Sequence, residues 1–297
     1  MSLCLFINGL YAQHTIFDFK KSDTKITKNQ ENTQVLDFRK DVFINKLDDV
    51  EVYIPFALPL INQTSLDVTI KQFSVVNENH TLMIEIDDGQ QKEEFNSELL
   101  SYYVFYKNEI IGMLLYFDDN IIVTYKYNNR QFEINSFGDE IVLFDVNDCI
   151  NKNSFSCAVE EKASQISSNS SSSGTITNPD CIELAIEIDE YTRNTFSSNT
   201  SAANWAHAII AGVSQVFFGE INVHITVVHT VIWTTTDPYA SIINDAGAML
   251  SALRNQWTAN NGSISRDIVH LLTKRSNTGT GGIAYVDVLC SNSWGYA

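Results

Sequence analysis

The chain has 297 residues, 44% of them hydrophobic, which is enough for two modest cores and suggests roughly two domains by length. It carries 19 basic against 36 acidic residues, a formal net charge of −17, which argues against nucleic acid and anionic membranes as partners because both select a basic face. Its five cysteines (Cys4, Cys149, Cys157, Cys181 and Cys290) form no C-x-x-C pair, which excludes a zinc ribbon or thioredoxin-like motif and is compatible with disulfides in an oxidising compartment.

Met1 to Ala12, M-S-L-C-L-F-I-N-G-L-Y-A, is apolar, ends in a small residue and gives way at once to polar sequence. It reads as a signal peptide over 1–12, whose missing basic n-region places the true start upstream. An N-terminal core strand is the rival reading. No run of about 18 apolar residues follows, so no membrane-spanning helix is predicted. Export is the expected fate.

From about residue 35 to 146 the pattern has strand character, within an expected β-rich domain of residues 13–150. Thr81–Asp87, Ser101–Tyr106, Ile110–Phe117, Ile121–Tyr127, Gln131–Phe137 and Glu140–Val146 are short runs rich in Ile, Val, Tyr and Phe. Asp-Asp-Gly, Lys-Asn, Asp-Asp-Asn and Asn-Asn turn signals separate them. Such close spacing favours antiparallel hairpins, hence a sandwich or a curled sheet. No catalytic constellation occurs here, and the isolated His80 reads as a surface residue. Residues 151–179 form a Ser-rich linker. Its core, Ser164 to Asn178, S-Q-I-S-S-N-S-S-S-S-G-T-I-T-N, cannot bury enough apolar surface to offset its ordering entropy, and a domain boundary is expected there.

From residue 180 the pattern alternates between strand and helix. Cys181–Asp189 sets Ile182, Leu184, Ile186 and Ile188 against Glu183, Ala185 and Glu187, a strand with one apolar face. Ala202–Phe217 is a helix with Trp205, Ile209, Gly212, Val213 and Val216 at helical spacing and Asn199 or Ser201 as N-cap. Ile221–Trp233 alternates as a long strand. Asp237-Pro238 precedes a second helix with Ile242, Ala246, Met249, Leu253 and Trp257 along one face, which Asn260-Asn261-Gly262 ends. Asp267–Thr273 and a strand within Gly279–Leu289 complete an α/β sheet, parallel except for its last member. His224 and His229 are five apart on one strand and should face opposite ways. His207 and His270 read as packed or surface residues.

The stretch R-D-I-V-H-L-L-T followed by G-G-I-A-Y-V-D-V-L-C mirrors the D-x-x-x-L-L-T and G-x-A-Y-V-x-x-x-C stretches of the reprolysin (adamalysin) branch of the metzincin zinc peptidases, and C-I-E-L-A-I-E-I-D resembles that family's first strand. Residues 179–297 resemble the family in strand and helix order. The resemblance implies a β-rich propeptide domain followed by the N-terminal part of an α/β metzincin catalytic domain, residues 180–297, with a mostly parallel sheet. It implies a secreted zinc-dependent endopeptidase precursor acting on proteins or peptides. The motif H-E-x-x-H-x-x-G-x-x-H, three zinc-binding imidazoles and a general-base Glu, is not among these residues and is expected downstream, so no catalytic residue is assigned in this chain.

Four further roles follow from the resemblance. Gly282, Ile283, Ala284, Tyr285 and Val286 would align a substrate strand on an exposed sheet edge; a plain Gly-rich hairpin is the alternative. Glu183 and Asp267 match positions that help to hold a structural calcium, or are two solvated acids. Cys157, just before the flexible Ser164–Asn178 core of the linker, could coordinate the zinc as a latency switch, although the family's following Gly is Ala158 here; a Cys149–Cys157 disulfide is the alternative. Cys290 would pair beyond the catalytic helix. A different class stays open as well, a secreted non-enzymatic binding or inhibitory module of adhesin type.

Overall fold

The computed structural model describes residues 15–20, 33–47, 52–148, 157–160, 180–289 and 291–297. The expected signal peptide lies outside them, and so does the expected linker of residues 151–179 except for 157–160, which form a short strand. The chain divides into two compact units, residues 1–73 with 99–152, and residues 74–98 with 153–297.

The first unit contains β1 (Phe17–Phe19), β2 (Thr33–Phe38), α1 (Lys40–Leu47), β3 (Ile54–Pro59) and β4 (Ser65–Phe73). The next two strands, β5 (Val76–Ile86) and β6 (Gly89–Glu93), belong to the second unit. The first unit resumes with β7 (Leu100–Tyr106), β8 (Glu109–Phe117), β9 (Asn120–Tyr127), β10 (Arg130–Phe137) and β11 (Glu140–Asp145). These nine strands make one antiparallel sheet in the order β1-β2-β11-β10-β9-β8-β7-β4-β3. A bridge from Thr15, beside β1, to Ala57 in β3 joins its two ends, so the sheet is curled almost to closure. Closure removes the exposed edges that a flat sheet would offer to other chains.

Local chemistry explains the meander. Lys107-Asn108, Asp118-Asp119 and Asn128-Asn129 each place two successive residues at positive φ, the geometry of two-residue hairpin turns whose twist matches the flanking strands. Asn and Asp tolerate that region better than most side chains. At Gly112 in β8 an added Cβ would lie 1.9 Å from the Thr124 carbonyl oxygen, so only glycine lets β9 approach there. Inside, α1 inserts Phe43, fully buried, with its ring 5.3 Å from Tyr116 and 6.1 Å from Phe56.

The second unit continues with β12 (Cys157–Glu160), β13 (Asp180–Ile188), α2 (Glu190–Arg193), α3 (Asn199–Ile221), β14 (Val223–Trp233), α4 (Ala246–Asn260), β15 (Ile268–Leu272) and β16 (Gly282–Tyr285). Its sheet runs β15-β13-β14-β5-β6, with the first four strands parallel and β6 antiparallel. The antiparallel member is therefore β6 rather than the last strand of the chain, and the run read near Thr81 pairs with β14. Parallel partners distant in sequence leave no local signature, because only hairpins are encoded by a nearby turn.

α3 packs Ala202, Ala203, Ala206 and Ile210 on Leu184 and Ile186, with Leu82 and Ile84 of β5 completing that core. α4 covers the other face with Met249, Leu250, Leu253 and Trp257 against Ala185, Val231 and Val269. β13 is consequently buried on both faces, and the expected polar face carries Ala185 and Glu187 at 0% exposure. The face expected to be buried on α3 is also displaced, since Ile209, Val213 and Val216 are exposed. The helix is apolar on nearly every side, so its periodicity does not set a phase, and its alanines allow the closest approach to the sheet. Its N-cap is Ser198, whose hydroxyl accepts the Ser201 N–H at 3.0 Å, in place of the two neighbours read from sequence. No helix among the described residues is long and apolar enough to cross a membrane.

Residues 295–297 lie along the free edge of β15. The Val269 N–H donates to the Gly295 carbonyl at 2.8 Å, and the Ala297 N–H to the Val269 carbonyl at 2.9 Å. On their other side the Tyr285 N–H donates to the Tyr296 carbonyl at 3.2 Å. This short segment connects β15 to β16.

Candidate active-site edge

β16 is held on one side by that bond and on the other by β12. The two strands pair in parallel, with Cys157 opposite Gly282, Ala158 opposite Ile283, Val159 opposite Ala284 and Glu160 opposite Tyr285. The residues expected to align a substrate strand thus form a strand over Gly282–Tyr285, while Val286 lies just past it and is exposed. Ile283 and Tyr285 turn towards the α4 core, and Tyr285 meets Trp294 edge-on at 5.2 Å. Next to the edge is a cavity of about 170 Å³ lined by Met249, Leu250 and Leu253 of α4, by His270 to Thr273, and by Thr280 to Ile283. An extended segment beside a mainly apolar pocket is the arrangement that reads a peptide by its backbone and one side chain.

The loop feeding β16 is anchored where the parallel strands end. Arg275 donates from Nε to Asp189 Oδ2 at 2.8 Å and lies 3.4 Å from Asp237 Oδ2 through Nη2, with both carboxylates fully buried. Thr273 Oγ1 donates to the same Asp189 oxygen at 2.8 Å, and the Lys274 N–H donates to Thr192 Oγ1 at 2.7 Å. Asp189 also caps α2 by accepting the Thr192 N–H at 2.9 Å. Two buried acids around one guanidinium compensate their own desolvation and fix the start of the loop.

Glu187 was missed by sequence reading. Its carboxylate accepts from Trp233 Nε1 at 2.6 Å, from the Tyr239 hydroxyl and from Trp257 Nε1, three donors on three different segments. Burial pushes its pKa up to about 7, against the lowering effect of these bonds. The sequence signal was present in hindsight, as three buried polar aromatics require an acceptor.

The histidines also differ from expectation. His80 is half-buried rather than a surface residue, and its Nε2 lies 2.9 Å from Thr230 Oγ1. His207 Nε2 lies 2.9 Å from the same hydroxyl, and the two rings are 5.1 Å apart. One hydroxyl can donate to one imidazole and accept from the other, so both rings are suited to the neutral form. Burial lowers the pKa of His80 to about 4 and of His207 to about 3. A bulge at Val227/His229 interrupts the alternation of β14 between His224 and His229. Their surroundings keep them apart: His224 stacks on Phe218 at 4.1 Å, and His229 meets Trp257 at 5.9 Å.

Asp267 Oδ2 accepts the Glu183 backbone N–H at 2.8 Å, which ties the Asp267 carboxylate to β13. Cys157 sits at the first position of β12, and Cys290 and Cys149 lie outside the described residues. Cys181 carries an exposed thiol, 3.1 Å from Thr226 Oγ1. Among the described residues no group of three or more His, Cys, Asp or Glu is placed to hold a metal ion.

Residues 178–297 match the family model Reprolysin_5, metallo-peptidase family M12. The crystal structure of metalloproteinase-II from Bacteroides fragilis aligns with a TM-score of 0.44 and 12% identity, over 86% of this chain and 81% of that chain. No curated protein matches the chain.

Proposed function

We propose that the chain is the N-terminal portion of a secreted, zinc-dependent metalloendopeptidase precursor of reprolysin type, in which residues 180–297 begin the catalytic domain. The observation that carries this reading is the M12 match over residues 178–297, which contain the β16 edge and its adjoining pocket. The substrate would be an extended peptide lying on Gly282–Val286. β12 stands where that peptide would lie, so the stretch ahead of the linker's Ser164–Asn178 core acts as an internal occupant of the edge and, with Cys157, as the latency element.

The residues present do not fit a catalytic zinc. The sequence holds no H-E-x-x-H, and no three described ligands converge. Bond cleavage is therefore assigned to residues outside these 297. Glu183 and Asp267 would begin a calcium shell, which needs six to eight oxygens in all.

The test is to read the coding sequence beyond residue 297 and to assay its product on quenched fluorescent peptides with and without a chelator. A frame that encodes H-E-x-x-H-x-x-G-x-x-H and a product whose hydrolysis the chelator abolishes would support the reading. A stop codon without that motif would sink it and leave the secreted binding or inhibitory module.

A further inference from the structure

We infer that the β5–β6 hairpin is a permanent structural part of the second unit, so that cutting the chain within residues 161–179 yields a two-chain protein held together without a covalent link. The inference does not rest on the proposed function; it concerns which segments make the fold. The hairpin comes from the N-terminal half of the sequence, ahead of the Ser-rich stretch, yet it supplies two of the five strands of the sheet that otherwise comes from residues 180–272.

Its attachments are of core type. The Val227 N–H donates to the Val75 carbonyl at 2.6 Å and the Thr234 N–H to the Glu85 carbonyl at 3.1 Å, so β14 is bonded to this segment from its middle to just past its C-terminal end. Leu82 and Ile84, at 1% and 4% exposure, lie in one core with Leu184, Ile186 and Ile232. His80 shares the Thr230 hydroxyl with the fully buried His207. On β6, Gln90 donates to Asn261 Oδ1 at 3.2 Å, while Glu93 Oε2 accepts from Asn199 at 2.8 Å. The hairpin is thus tied to β14, to the start of α3 and to the end of α4. Removing it would strip an inner strand of its partner, open a core, and take from Thr230 its bond to His80 and from His207 its ring contact with His80, three costs incurred together. β12 is a different kind of attachment, a four-residue ladder on a single strand.

The experiment uses the full chain with a specific protease site inserted between Ser170 and Ser173. After folding, the protein is cut and examined by size exclusion and by hydrogen exchange at the Val227 and Thr234 amides. The expected result is a single native peak containing both fragments, which separate only in denaturant, with exchange at both amides unchanged by the cut. The double variant Ala158→Pro/Val159→Pro, which breaks β12, is expected to give the same co-elution. Separation of the fragments in native buffer, loss of protection at the two amides despite co-elution, or separation in the β12 variant alone would each overturn the inference.

Discussion

At the scale of single residues, Glu187 shows how a buried charge sets a pH dependence. Its folded pKa, about 7, is above the ordinary value of 4.5, so the folded state binds the extra proton between those limits. Its contribution to stability is fully present below pH 4.5 and is lost as pH rises through 7. Gln at this position cannot ionise and turns an amide N–H₂ towards one of three donors, leaving a buried donor unpaired. We expect Glu187→Gln to destabilise the second unit by about 1–3 kcal/mol at pH 5, with a smaller deficit at pH 8, measured by urea denaturation at both values. A deficit that grows with pH would contradict the raised pKa. The alternating sequence around Glu187 was legible as a strand, but its second face was not, because burial on both sides depends on α4, which arrives about 60 residues later. Gly112 is a simpler case. Gly112→Ala places a methyl within 1.9 Å of the Thr124 oxygen, forces β8 and β9 apart, and should cost about 1–3 kcal/mol in the first unit's unfolding transition. No stability change there would mean that the strands have room to shift.

At the scale of elements, the meander of the first unit was readable because each turn is spelled by the two residues that form it. The β5–β14 pairing and the buried face of α3 were not. A parallel partner more than 100 residues away has no local code, and a helix rich in Ala, Ile and Val offers several equally apolar stripes. The histidines that join these elements give the pairing a measurable sign. Burial lowers His80 and His229 to about 4 and His207 to about 3, below the ordinary 6.5. The unfolded chain therefore binds more protons between about 4 and 6.5, and the histidine contribution, present above 6.5, is lost as pH falls through that window. Glu187 acts in the opposite direction between 4.5 and 7, as does Glu85, which burial also raises, while His224 and His270, lowered by burial, add to the histidine side, so the histidines outnumber the opposing carboxylates. We expect net destabilisation of the second unit from pH 6.5 to 4.5, read from thermal unfolding in steps of pH. His80→Gln keeps a donor for Thr230 without the titration and should flatten part of that slope. An unchanged slope would place the acid sensitivity elsewhere.

At the scale of the whole molecule, the strand that approaches Gly282–Tyr285 comes from the chain itself. β12 is connected to the second unit within one polypeptide, so it competes with any external peptide at an effective concentration of order millimolar. A peptide in solution at micromolar concentration meets an edge that is already paired, whatever its intrinsic affinity. Successive backbone N–H groups of a strand point to opposite sides, so replacing two neighbours by proline removes whichever donor faces β16. The double variant Ala158→Pro/Val159→Pro should therefore open the edge without touching β16. We expect its affinity for fluorescein-labelled extended peptides, measured by anisotropy, to rise by about tenfold or more over the unmodified chain, the gain being the lost internal competitor. Peptides rich in Lys should gain most at low salt, because a net charge of −17 attracts them and added salt screens that attraction. The G-G-I-A-Y-V stretch marked this edge in the sequence, but the strand that covers it was hidden, as a four-residue segment beside a Ser-rich run carries too little periodicity to be read. If the double variant binds peptides no better than the unmodified chain, β12 does not guard the edge, and substrate docking on Gly282–Val286 loses its structural support.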